Sequence, residues 1–373
     1  MKREKRRTRF FSRFKLRFYF HYITALSLTP YPNRVYNTNR RMAESSSVMF
    51  PIKDSKMFVP ILTQMLILFA FIAIGFILSK TKVLPVNAAT VLSRLENFVF
   101  VPALVMSTFI KNCTADNIGN LWKIIAFSVI LLVVLLPLSF IAAKIFCKED
   151  FLRKIATYGL EFSNFGFMGN AVVKGVFPEI FFDYTVFTLP FWFTIYAWGV
   201  PVLLISSSGG DSKGTVLKNF INPMLIAMVI GMIIGLTGLG SILPEQAVGA
   251  VDMLGDCMSP VAMILTGATV AKSNIAELLK CGWLYGISAV RLIIYPVLYI
   301  LAVMFIPKGD FLTETALICG MCMVSMPMGL NSIVVPAAYG KDVSQAAALS
   351  VVTSLLSVIT IPLAFLLFNL FIL

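Results

Sequence analysis

Two short stretches hold most of the residues in this chain that could bind a ligand. The first, 161-EFSNFGFMGNAVVKG-175, sets a carboxylate (Glu161), two asparagines (Asn164, Asn170), three glycines and a lysine within fifteen residues. The second, 325-SMPMGLNSIVVPAAYG-340, sets Pro327, Gly329 and Asn331 close together. Glycine weakens a helix, and proline removes a backbone donor and displaces the carbonyl four residues back. A helix interrupted in this way offers free N–H and C=O groups, and the N-terminus of its second half favours negative charge. Side-chain amides at the same depth add donors and acceptors. The chemistry is therefore that of holding an anion, with Asn164, Gly166, Gly169, Asn170, Pro327, Gly329 and Asn331 as the binding residues. The plainer alternative is close helix packing, which also recruits Gly, Ser and Asn in membranes. One such stretch in each half of the chain favours a site.

Other chemistries are poorly supplied. The single histidine, His21, lies in a basic N-terminal segment, so the rest of the chain holds no histidine for a metal site or catalytic triad. No GxxxxGK[ST] phosphate loop is present. The pair in 319-CGMC-322 has redox spacing but lies in an apolar run, whereas reactive thiols need an electropositive, partly exposed setting. The six cysteines read as packing residues, and no cofactor or metal is expected. A membrane-embedded enzyme is disfavoured, because no convergent carboxylate pair is visible. A receptor or scaffold would need a partner domain that the short loops do not supply.

The elements that must position these residues are membrane spans. The chain is 58% hydrophobic and only 13% charged, against roughly 25% charged for soluble domains. A span needs about 20 mostly apolar residues. Candidates run over 58–79, 91–110, 121–146, 153–177 and 182–206, then 220–239, 247–271, 279–306, 312–338 and 343–372. The expected fold is an all-α polytopic membrane protein of ten helices, in two inverted five-helix repeats with broken fourth and ninth spans. The first repeat would occupy 57–206, a short cytosolic link 207–218, and the second repeat 219–373. Spans two and seven echo each other through Pro102 and Pro260. Inverted repeats with interrupted helices at matching places point to a transporter's midplane site.

Loop charges orient the chain. Loops after odd-numbered spans carry eleven basic residues (Lys80, Lys82, Lys144, Lys148, Arg153, Lys154, Lys213, Lys218, Lys272, Lys280, Lys341), and the other side, from residue 51, carries six (Lys53, Lys56, Lys111, Lys123, Lys174, Lys308). This bias puts the central link in the cytosol and both ends of the membrane body outside. Residues 1–50 oppose it, with twelve Lys/Arg and two Glu. Either they dominate and invert the protein, or 1–56 is a disordered or non-native extension preceding a start at Met42, Met49 or Met57; we favour the second. Nucleic-acid binding by this arginine-rich and aromatic segment is not expected, because nothing folded is attached to present it.

The segment 164-NFGFMGNAVVKG-175 resembles the N-x-G-F-M-G-I-P signature of the auxin efflux carrier family, which takes in plant PIN proteins and bacterial permeases. The stretch 326-MPMGLNSIVVPAAYGKD-342 resembles that family's second crossover, with weaker matches at 100-FVPALVMS-107, 291-RLIIYP-296 and 353-TSLLSVITIPL-363. The resemblance covers about 58–373. It implies a crossing of the broken fourth and ninth helices, where asparagine and backbone groups hold a carboxylate, here Asn164 and Asn331, with Pro327 breaking the second helix. It also implies a homodimer. Where the family has Ile-Pro, this chain has Asn170-Ala171, so the first break would rest on Gly166 and Gly169.

Charges within spans are usually functional or paired. Asp256 and Glu161 are the ion-coupling candidates, the second because it stands three residues before Asn164 on a helix face. A structural ion pair or a helix-end position are their alternatives. Arg291 reads as a structural partner, and Lys174 as a side chain reaching an interface. The expected function is secondary transport of a small organic anion, a carboxylate, across the plasma (inner) membrane by alternating access, with proton coupling as one option. The alternative is a sodium-coupled anion symporter of similar architecture.

Overall fold

In the computed structural model, residues 58–85, 87–114, 119, 121–205, 223–272, 280–306, 312–333 and 344–372 are described. The basic segment at 1–56 and the link at 207–218 lie outside them. Among the described residues the chain is helical, and its extended pairing is one isolated bridge, taken up below. It is an all-α, multi-pass membrane protein. Among the described residues, seven helices are long and apolar enough to cross a bilayer.

The first three helices are α1 (Phe58–Lys80), α2 (Ala88–Asn112) and α3 (Leu121–Phe146). At 1.5 Å per residue, α3 reaches about 39 Å, more than the hydrocarbon core of roughly 30 Å. Next come α4 (Asp150–Glu161) and α5 (Asn170–Val176), with a π-helical stretch, Phe165–Gly169, leading into α5. Then α6 (Phe181–Thr194) runs on into π-helical turns over Ile195–Ile205. The remainder comprises α7 (Pro223–Leu236), α8 (Glu245–Val270, turning at Cys257), α9 (Gly282–Met304), α10 (Glu314–Ser325) and α11 (Ser344–Phe371).

Burial separates two kinds of helix. On α1, Val59, Leu66 and Ile77 are exposed apolar side chains, as expected of a helix facing lipid. In α10, by contrast, every residue from Ala316 to Ser325 is buried, and so is α4 from Ile155 to Glu161. The interior therefore belongs to the helices that carry the two polar stretches.

The two most extensive helix contacts are α1 with α8 and α2 with α7. Both rest on missing side chains. A Cβ on Gly75 would strike the Ile264 backbone, and one on Gly267 the Ile72 and Phe76 backbone. On α7, a Cβ on Gly235 would lie 2.6 Å from the Phe109 carbonyl. With no hydrophobic drive between helices in lipid, such close backbone approach supplies the packing.

Prolines explain two of the four widened stretches among the described residues. Helix α2 opens into π-turns at Glu96–Phe100, just before Pro102, and α9 does so at Val290–Ile294, just before Pro296. Each proline lacks the N–H that would close an ordinary turn. The ladder resets one residue wider, as in the Val101 N–H bond to the Glu96 carbonyl.

Candidate functional site

Both polar stretches contain a true break in the helix, and the two breaks meet. Helix α4 ends at Glu161, and Phe162 is extended, with φ −107 and ψ 100. Helix α10 ends at Ser325, and Met326 is extended, with φ −68 and ψ 149. The freed backbones pair with each other in an antiparallel bridge between Ser163 and Met328. The Asn164 N–H donates to the Pro327 carbonyl at 2.7 Å, and the Gly329 N–H donates to the Phe162 carbonyl at 3.1 Å. A Cβ on Gly329 would sit 3.0 Å from the Ser163 carbonyl, so the pairing needs glycine there. Interrupted backbone at membrane depth is tolerated only where protein or a cavity satisfies it, and here each break satisfies the other.

Arg291 closes the arrangement. Its side chain is 1% exposed. From the π-turn of α9 its Nε donates to the Met326 carbonyl at 2.9 Å, and its two terminal nitrogens to the Leu160 and Met323 carbonyls at 2.8 and 2.7 Å. Leu160 and Met323 lie in the last turns of α4 and α10, where carbonyls are unpaired and the helix dipole is negative. One planar guanidinium, with donors in a fixed fork, serves both helix ends at once.

Beyond the break, Asn164 occupies the N-cap position of the Phe165–Gly169 turn without a side-chain capping bond. Its Oδ1 is buried with no partner among the described residues. A narrow cleft with a volume of about 10 Å³, room for roughly one water, opens here, lined by Asn164, Asn331, Ser163, Gly166, Gly329, Leu330 and Ile195, with Tyr158, Phe165, Phe167 and Trp192 as an aromatic wall. Phe165 and Trp192 meet edge to face, ring centroids 5.0 Å apart. The Asn331 amide lies beside the Tyr158 hydroxyl. Phe165, Gly166 and Phe167 begin a helix, so their N–H groups have no carbonyl one turn earlier to bond. The cleft therefore combines backbone donors, two amides and apolar rings.

The residues expected to bind separate into two groups. Asn164, Gly166, Gly329 and Asn331 line the cleft. Pro327 lies behind it and gives its carbonyl to Asn164. A Cβ on Gly169 would collide with the Tyr184 hydroxyl, which itself bonds the Phe165 carbonyl at 3.1 Å. Asn170 opens α5 and is partly buried. The first break falls at Phe162–Asn164, upstream of the glycines expected to make it. Gly166 and Gly169 instead make room for Trp192 and Tyr184. Tyr158, Trp192 and Ile195 carry no sequence signal of their own, because their place in the cleft is fixed by packing between helices.

Glu161 and Asn164 do not share a helix face, since the helix ends between them. Glu161 is fully buried, and its Oε2 accepts from the Ser139 hydroxyl at 3.0 Å, which in turn meets the Tyr295 hydroxyl at 3.0 Å. Its Oε1 has no partner among the described residues. Asp256 stands elsewhere, on α8, ion-paired to Lys174 of α5, with both side chains about half exposed. One turn earlier, Asp252 takes Lys111 and Ser107 of α2. The remainder of the second stretch, 334–340, lies outside the described residues.

The sequence profile of membrane transport proteins matches residues 60–214 and 211–365. The chain belongs to the auxin efflux carrier family of membrane transport proteins. An uncharacterized transporter of Methanothermobacter thermautotrophicus is 25% identical over 308 residues, covering 78% of this chain and 93% of that one. As a member of this family the protein is a transporter and not an enzyme. The paired breaks are thus placed in a carrier rather than in a catalyst.

Proposed function

We propose that this auxin efflux carrier family member moves a small organic anion, a carboxylate, across the plasma (inner) membrane by alternating access. The observation that carries the reading is the cleft at the crossing. There the Asn164 amide, whose Oδ1 has no partner among the described residues and whose nitrogen is the group able to donate to an anion, and the Asn331 amide line the cleft with the start of a helix and an aromatic wall. Helix-start N–H groups favour a carboxylate, the amides fix its orientation, and the rings accept its apolar body.

In this reading α4 with α5 forms the fourth of ten spans, and α10 with its continuation forms the ninth. Two inverted five-helix repeats relate them. The helix contacts support this. Under an inverted repeat, span one corresponds to span six and span two to span seven. The contact of α1 with α8 then corresponds to that of α7 with α2, and these are the two most extensive contacts in the molecule. The group around the crossing would rock against the α1, α2, α7 and α8 group, across the interface held by Lys174 and Asp256. Glu161 and Asp256 are the coupling residues of this scheme, one buried in the crossing and one at the moving interface.

The test is uptake of radiolabelled malate, benzoate and indole-3-acetate into proteoliposomes, with and without sodium and a pH gradient. Asn331→Ala and Asn164→Ala should each lower apparent affinity for the transported acid on the order of tenfold, as for loss of a hydrogen bond to a charged group. Protein yield and melting should stay unchanged. Unaltered kinetics in both variants would remove the amides from the site. Sodium dependence without pH dependence would assign the symport mode instead.

A further inference from the structure

The membrane interior holds a second carboxyl, far from the crossing in sequence, that transport at the crossing does not use. Glu96 begins the π-turn of α2, roughly 12 Å along the helix from Ala88 at 1.5 Å per residue, and is 0% exposed. Both of its oxygens are buried without a partner among the described residues. The neighbouring amide is not turned toward it: Asn97 donates back to the Ser93 carbonyl at 2.9 Å.

The surroundings supply no cation. The segment packs against α7, against both halves of α8, and against the rest of α2. Helix α7 and the Met258–Val270 half of α8 carry no Lys, Arg, His, Asp or Glu. The other half carries Glu245, exposed at the helix start, with Asp252 taken by Lys111 and Ser107, and Asp256 by Lys174. Cys257, at the turn, is exposed. On α2 itself Arg94 is exposed, and Lys111 is engaged with Asp252 near the far end. An ionised carboxylate with neither counter-charge nor donors is not sustained inside a membrane, and the group neutralises instead. A metal cation would require several ligands, and no cluster of three or more His, Cys, Asp or Glu side chains occurs among the described residues.

The position also connects to the moving parts. The π-turn rests on α8, and α8 is the helix tied to α5 of the crossing by Lys174 and Asp256. Short π-turns recur at functional places because the ladder there is already loosened.

We propose that Glu96 is a proton-binding site, protonated in the arrangement seen here and exchanging its proton with water when the loosened π-turn of α2 opens locally. The assignment places proton exchange in the α2–α8 interface, apart from Glu161 and the cleft. Because it concerns the proton alone, it stands or falls separately from the carboxylate reading above.

The experiment is infrared spectroscopy of the full chain in liposomes, comparing wild type, Glu96→Gln and Glu161→Gln. At neutral pH the wild type should show the C=O stretch of a protonated carboxyl. That band should be lost in Glu96→Gln, kept in Glu161→Gln, shifted in D₂O, and diminished as pH rises. A spectrum unchanged by Glu96→Gln would mean that Glu96 is ionised, and would overturn the proposal. So would a Glu96 band that neither shifts in D₂O nor responds to pH, which marks a sealed structural acid. Should Glu96→Gln fail to fold, dicyclohexylcarbodiimide on the wild type decides, since it adds to protonated carboxyls in apolar settings. An adduct on the Glu96 peptide that fades with rising pH supports the site; none at any pH refutes it.

Discussion

Arg291 and Gly169 show how single residues hold the crossing. Removing the guanidinium would take away its bonds to the carbonyls of Leu160 and Met326 and leave Met323 with the Ser163 hydroxyl alone, and each buried unsatisfied group costs about 1–3 kcal/mol. Arg291→Met should therefore lower the melting temperature in detergent more than any other single change at the crossing. Arg291→Lys should recover only part of it, because a compact ammonium cannot present the same fork. A melt unchanged by Arg291→Met would refute the double-cap role. At Gly169 the obstacle to a larger residue is one atom, the Tyr184 hydroxyl. Gly169→Ala should cost about 1–3 kcal/mol, as overpacking does. Adding Tyr184→Phe should return part of that, so that the double variant is less damaged than the two single effects combined. Simple additivity in thermal melts would count against this contact. None of these partners could be read from the sequence. Arg291 is 131 positions from Leu160.

At the scale of elements, the sequence is most informative where apolar runs are long. The span expected at 121–146 is α3, and those at 58–79 and 343–372 differ from α1 and α11 by a residue at their ends. Pro327 marks the second break only together with Gly329, since Pro137, Pro190 and Pro362 lie inside unbroken helices. The first break is less legible. Glycines are its conspicuous feature, yet the helix ends before them, at Phe162, where the backbone finds a strand-like partner in Met328 and its neighbours. Helical periodicity put Glu161 beside Asn164, and that reasoning fails wherever a helix stops between the two residues. Pairing between distant breaks is decided by tertiary geometry, which a single chain's pattern does not encode.

At the scale of the whole molecule, the six cysteines provide a map of access and orientation. Cys257 is exposed beside the Lys174–Asp256 pair, Cys281 is partly exposed, and Cys113, Cys147, Cys319 and Cys322 are buried. The lysine distribution puts the start of α8 toward the outer side and the start of α9 toward the cytosol. A membrane-impermeant maleimide added to right-side-out vesicles should accordingly spare Cys281, at the start of α9, which should react only after permeabilisation. Mass spectrometry of the labelled peptides reads the outcome, and the opposite pattern would invert the orientation.

The guanidinium at the crossing also limits how this carrier can work. With three of its nitrogens each committed to a carbonyl from one or the other broken helix, the two strands of the X are riveted at their intersection and travel together. A passage for cargo cannot arise by drawing them apart. On the alternating-access reading proposed above it would open along the flank of the X, where the bundle would slide past its neighbours, and lipid thickness or tension resisting that sliding would throttle turnover while leaving the cleft intact.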